Sequence, residues 1–164
     1  MTGRGETASF ADVMLSLRDK MELALDEARQ AAKAGEVPVG AVLFDRRDGS
    51  VLAVAHNRVE RDHDPTAHAE MLAIRCAAKR LGSKRLIDAE LFVTLEPCPM
   101  CAQAISFARL ARVVFGAYDP KAGGVEHGPR IFDQPGCNHR PDIVAGVQES
   151  QCGLLLKDFF QARR

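Results

Sequence analysis

The apolar positions along the chain fall into segments of two kinds. Between residues 10 and 32 they recur as Phe10, Val13, Met14, Leu17, Met21, Ala24, Leu25, Ala28 and Ala32, a stripe with helical spacing. Gly35 follows as a helix-ending residue. Residues 37–44 and 51–55 are instead apolar almost without interruption. The turn-forming run Asp45-Arg46-Arg47-Asp48-Gly49-Ser50 between them makes the pair a hairpin. Strands that do not alternate are buried on both sides, so helices are expected on each face of the sheet.

A loop over residues 56–66 leads to a predicted helix over 67–81, with Thr66 as its N-cap and Gly82 ending it. Residues 91–95 and 113–116 read as further strands, separated by a short helix that Pro97 and Pro99 open and that runs to about Ala108. The stretch 122–141, rich in Gly and Pro, reads as a long loop, and 142–144 as a short fifth strand. A terminal amphipathic helix over 150–164 carries Leu154, Leu155, Phe159 and Phe160. This strand–helix–strand order predicts an α/β sandwich with partly parallel strands. Residues 1–8 are expected to be a mobile tail, and 9–164 a single domain without repeat or linker.

Composition narrows the function classes. The chain has 164 residues, 46% of them apolar, enough for one domain with a real core. Lys+Arg and Asp+Glu balance at 22 each, so any nucleic-acid partner has to be met by a local patch rather than by overall charge. No apolar run is long enough to span a bilayer and no export signal follows Met1, so no membrane is expected and the cytoplasm is the expected location. Five cysteines without such a signal point to metal binding or burial rather than disulfides.

The chemistry lies in His68-Ala69-Glu70 and Pro97-Cys98-Pro99-Met100-Cys101. Cysteines three apart at a helix start can aim both sulfurs at one point. Taken alone, Cys98 and Cys101 are equally two buried thiols or a redox pair. His68 and Glu70 change this. Two residues apart, they serve one site only if it lies beyond the N-terminus of their helix, so two helix starts would face one metal, their positive ends favouring thiolate. One His and two Cys suit a catalytic zinc with a fourth position open, which leaves Glu70 as a proton shuttle. His-x-Glu with Pro-Cys-x-x-Cys is the signature of zinc deaminases. The competing arrangement is a closed structural zinc site completed by Cys137 or His139.

Beyond the motif, the chain resembles the bacterial tRNA-specific adenosine deaminases from about Met21 onward. The resemblance rests on Glu36-Val37-Pro38-Val39-Gly40-Ala41-Val42, Asn57-Arg58, His63 to Glu70, Arg85-Leu86-Ile87, Leu91 to Cys101, Val113 to Ala117, Asp119, Asn138-His139-Arg140 and Asp158-Phe159-Phe160. It implies a three-layer cytidine-deaminase-like α/β/α sandwich around a central mixed five-stranded sheet. It also implies a homodimer, one zinc per subunit, and hydrolysis of adenosine to inosine at the wobble position of a tRNA anticodon stem-loop.

The same resemblance implies that His68, Cys98 and Cys101 hold the zinc, that Glu70 moves the proton, and that Asn57, Asp119, Val37, Pro38, Phe159 and Phe160 meet the substrate. A 2′-OH contact from Asp119 would favour RNA. Lys121, Arg130, Arg140, Lys157, Arg163 and Arg164 are candidates for phosphate contacts. Two departures stand out. Pro99 between the cysteines also looks like the free-guanine deaminases, and Val125-Glu126-His127-Gly128-Pro129 replaces the usual small-residue loop. A deaminase of free guanine or cytosine is therefore the competing activity, and a non-catalytic zinc-stabilised RNA-binding module the competing class.

Overall fold

A computed structural model describes residues 15–164. The expected tail and the first stripe positions, Phe10, Val13 and Met14, lie outside the described residues. Helix α1 (Leu17–Lys33) opens on a capping box in which Ser16 and Asp19 satisfy each other's backbone N–H. It buries Met21, Ala24, Leu25 and Ala28 of the expected stripe together with Ala31, whereas Ala32 is half-buried and Leu17 exposed, and Gly35 turns the chain at φ +78°.

Strands β1 (Gly40–Asp45) and β2 (Val51–His56) form the hairpin. One helical turn, α2 (Val59–Asp62), interrupts the stretch expected to be loop. It is stabilised from outside, because the Glu36 carboxylate accepts from the N–H groups of Glu60 and Arg61. Then follow α3 (Ala69–Leu81), β3 (Ala89–Leu95), α4 (Pro99–Ala108), β4 (Arg112–Ala117), β5 (Asp142–Ala145) and α5 (Glu149–Gln161). The long loop before β5 holds a 3-10 turn at Ile131–Asp133.

The five strands lie in the order β2-β1-β3-β4-β5. β1 runs antiparallel to β2 and β3, whereas β3, β4 and β5 are parallel. Successive side chains point to opposite faces. Ala41, Leu43, Leu91, Val93, Val113 and Phe115 pack with α3 and α4. Val42, Phe44, Phe92 and Val114 pack with α1 and with Cys152 of α5. Both faces of β1, β3 and β4 are covered, which explains why these strands are apolar without alternation, but edge strand β2 exposes Val51 and Val54, so the expected cover on each face is incomplete there.

Two features fix α1 on its sheet. At Gly40 a Cβ would stand 2.0 Å from the Ala24 carbonyl oxygen and 2.5 Å from the Ala28 nitrogen, so only glycine lets the helix cross the strand this closely. At the other end, the Glu90 carboxylate accepts from Lys20 Nζ of α1 at 2.5 Å and from Arg112 Nε and Nη2 of β4 at 3.0 and 2.5 Å. The Lys20 ammonium also lies over the Phe44 and Phe92 rings, 4.9 and 5.6 Å from their centroids.

Candidate active site

The site forms where α3 and α4 begin. Helix α3 starts two residues later than the sequence predicts. The Asp64 carboxylate takes both the backbone N–H and the hydroxyl of Thr66, at 2.8 and 2.7 Å, so Thr66 belongs to a turn and not to the cap. The chain then extends through His68 (ψ 150°), which becomes the N-cap. Cys98 is the N-cap of α4, with Pro99 as the first helical residue. The His68 side chain makes no bond to its own helix, and Cys98 meets only the metal-ligand candidate Cys101 of α4. Both point instead at a common centre.

His68 Nδ1 lies 3.6 Å from Cys98 Sγ and 3.6 Å from Cys101 Sγ. All three donor atoms lie within 4.8 Å of one another, and among the described residues this is the one such cluster. One imidazole nitrogen and two sulfurs suit zinc, and three protein ligands beside a cavity leave its fourth position open. Cys137 and His139 are elsewhere. The Cys137 thiol meets Ser106 Oγ and the His139 carbonyl, and His139 Nε2 donates to the Leu110 carbonyl at 2.6 Å. A closed site completed by either residue is therefore not formed.

The local electrostatics favour a bound cation. The hydrogen bond from Cys101 chiefly, with those from His68 in support, pushes the Cys98 thiol down to about 4. That same partnership pushes Cys101 up, and the Cys98 sulfur raises His68. Glu70 is buried one position into α3 beyond Ala69, and burial pushes its carboxyl up to about 7, with the nearby Cys98 sulfur acting in the same direction. The charge of a bound metal opposes that rise. A carboxyl poised between its protonation states near neutrality is suited to moving a proton.

His68, Glu70 and Cys98 open into a cavity of about 670 Å³, which is within the range of small-ligand sites. Val37, Asn57, Asp119, Phe159 and Phe160 line it too. Pro38, expected beside Val37, is buried and not part of the lining. Asn57 Oδ1 accepts from the Ala69 N–H at 2.8 Å, supplying from a distance the cap that His68 does not. Its Nδ2 makes no hydrogen bond among the described residues and remains a free donor at the cavity wall.

Phe159 is buried and Phe160 half-exposed, packed edge-to-face at 5.4 Å. Arg163 lies over the Phe159 ring at 3.7 Å and donates to the Gly35 carbonyl, so it builds the cavity wall. Arg130 and Arg140 both pair with Asp133. Of the phosphate candidates, exposed Lys121, Lys157 and Arg164 have no side-chain partner among the described residues.

Three lining acids, Glu36, Glu60 and Glu96, were not singled out by the sequence. Glu36 holds α2, as described above. Glu96 gathers the N–H groups of Asp119, Val125, Glu126 and His127 together with the His127 ring. Burial pushes its carboxyl up, but the His127 and backbone hydrogen bonds outweigh burial and hold it below the ordinary carboxylate range. The one sequence signal is a carboxylate at the end of a strand that is otherwise buried and apolar.

The family model for the cytidine and deoxycytidylate deaminase zinc-binding region matches residues 14–117. A tRNA-specific adenosine deaminase of Agrobacterium fabrum (strain C58) is 54% identical over 144 residues, covering 88% of this chain and 93% of that protein. The chain belongs to this deaminase family. A structure solved in a study of A-to-I editing by tRNA:A34 deaminases at the wobble position superposes with a TM-score of 0.81 and 54% identity, over 84% of this chain and 98% of that one. A guanine deaminase from Bacillus subtilis is more distant, with 32% identity and a TM-score of 0.62, over 91% of this chain and 94% of that one. The family's zinc-binding region includes His68, Cys98 and Cys101, and these hold one zinc ion per chain.

Proposed function

We propose that the protein converts adenosine to inosine at the wobble position of a tRNA anticodon, with Glu70 as the proton shuttle. The observation that carries this reading is a buried carboxyl two residues after a metal ligand, on the wall of a cavity large enough for one nucleoside. His68, Cys98 and Cys101 would hold the zinc, which when bound would lower the pKa of water from about 16 towards roughly 7. Glu70 takes a proton from the attacking water, the water oxygen bonds to C6 of adenine, and Glu70 delivers that proton to the amine as the C6–N bond breaks and ammonia leaves. Asn57 Nδ2 donates to an acceptor on the purine, and Asp119 meets the ribose. Val37 and Phe159 enclose the base, which has to leave the anticodon stack to enter. Lys121, Lys157 and Arg164 are left to meet phosphates.

The identity of 54% to tRNA-specific relatives, against 32% to a guanine deaminase, supports RNA over a free base. Among the described residues, no helix is long and apolar enough to cross a membrane. A tRNA substrate supports a cytoplasmic location. Phe107 is 73% exposed on α4 and shares one face with Met100, Gln103 and Ala104, a surface that a second copy would cover in a homodimer.

The test is incubation of the zinc-loaded protein with an anticodon stem-loop carrying adenosine at the wobble position. Inosine should form there, while free guanine and free cytosine stay unchanged. The opposite pattern would overturn the reading. Glu70→Ala should cut turnover by about 10²–10⁴ with zinc still bound. A Glu70→Ala variant that keeps its activity would remove Glu70 from the mechanism.

A further inference from the structure

The loop 119–127 runs from Asp119 at the cavity to His127. It contains no helix or strand. Asp119 closes a turn at its start, its Oδ1 accepting from the N–H groups of Lys121 and Ala122 at 3.2 and 3.0 Å and its carbonyl from Gly123 at 2.9 Å, and the Glu96 carboxylate ties that turn to the rest of the loop. Oε1 accepts from the Asp119 N–H at 3.1 Å and from His127 Nδ1 at 2.8 Å. Oε2 accepts from the N–H groups of Val125, Glu126 and His127 at 3.3, 3.1 and 3.0 Å.

The loop is shaped to admit this carboxylate. A Cβ at Gly123 would stand 2.2 Å from Glu96 Oε2, and one at Gly124 would stand 2.5 Å from the Pro99 nitrogen. The Gly124 N–H also donates to the Pro97 carbonyl at 2.8 Å, directly before the ligand Cys98. The far side of the His127 ring meets Tyr118 edge-on, with centroids 6.0 Å apart.

We infer that the Glu96–His127 pair is a positioning device for substrate binding: the imidazole locks Glu96 Oε1, and the same oxygen fixes the backbone of Asp119 at the cavity. His127 itself is not part of the cavity lining, so it acts through Glu96 and Asp119. Four of the five hydrogen bonds are backbone N–H bonds that do not depend on the residue types in the loop, whereas the fifth depends on the imidazole at position 127. Hydrogen bonds to a charged acceptor are stronger than neutral ones. Removing the imidazole leaves the Asp119 N–H alone on Glu96 Oε1 and loosens that oxygen, so the turn that Asp119 makes with Lys121, Ala122 and Gly123 can shift as a unit at the cavity. The metal segment stays anchored through Gly124 and Pro97.

This inference rests on the proposed deamination of an RNA loop, and the experiment separates the two. Wild-type protein without activity on the stem-loop would sink the functional reading itself. Given an active wild type, His127→Phe keeps an aromatic ring against Tyr118 but loses the donor. Its KM for the anticodon stem-loop should rise about tenfold, with kcat within about twofold and one zinc retained. His127→Asn places an amide N–H where Nδ1–H stood and should bring KM back to within about threefold of wild type. An unchanged KM in His127→Phe overturns the inference. So does loss of zinc or of the fold in that variant, because the pair would then support the metal segment and not the substrate wall. An Asn variant no better than Phe overturns it as well.

Discussion

Replacing Glu90 with Ala removes the shared acceptor of two cations in very different surroundings. The side chain of Arg112 is 26% exposed and can turn to water, whereas that of Lys20 is 7% exposed, and Lys20 Nζ lies between Glu90 and two aromatic rings. Breaking a buried pair from one side costs about 3–5 kcal/mol, because the remaining charge is left uncompensated. The Phe44 and Phe92 rings return about 1 kcal/mol to the remaining cation. The net expectation is a loss of about 3 kcal/mol, against a typical total stability of about 5–15 kcal/mol.

Urea unfolding of the zinc-loaded protein at pH 7 measures it. A loss under about 1 kcal/mol would refute the account. Glu90→Gln combined with Lys20→Met removes both charges and should cost less than Glu90→Ala alone.

Asn57→Asp keeps an oxygen for the Ala69 N–H but removes the free amide donor, so the melting temperature should hold while activity on the stem-loop falls. Asn57→Ala should lose both, with about 1–3 kcal/mol of stability gone, and equal melting temperatures for the two variants would contradict the capping role. Protein stripped by a chelator should release fewer than two protons per zinc on rebinding at pH 8, since Cys98 with a thiol near 4 is already ionised and Cys101 supplies the proton that remains. Calorimetry in buffers of different ionisation enthalpy reads that number, and two or more protons would argue against the assignment. Gly40→Ala should cost about 1–3 kcal/mol by lifting α1 off β1, and a neutral result in thermal unfolding would mean that the helix can shift without penalty.

The layering and the metal site were legible because both are written locally. Uninterrupted apolar strands imply two covered faces, and the His68, Cys98 and Cys101 spacings imply two helix starts meeting at one point. The misread parts depend on partners far away in the chain. Thr66 has the composition of an N-cap, but Asp64 takes its hydroxyl first and the helix begins later. The turn at α2 depends on Glu36, which lies 24 and 25 residues before the N–H groups it accepts. Glu96 reads as an unremarked acid after a strand, because its partners lie 23 to 31 residues downstream. Arg130, Arg140 and Arg163 look like free surface charges in the sequence, yet each is engaged, two by Asp133 and one by Gly35.

The parallel strands β4 and β5 are joined without a helix packed across the sheet. Their connection is pinned at Glu96, at buried Phe132 and again where Cys137 meets Ser106, while residues 133–136 between the last two anchors are exposed. This gives the fold a natural splice point. Chain can be added there for roughly 0.6 kcal/mol per doubling of loop length, without unpacking an element or shifting the metal ligands. New recognition modules can therefore be grafted at this position while the reacting centre keeps its geometry.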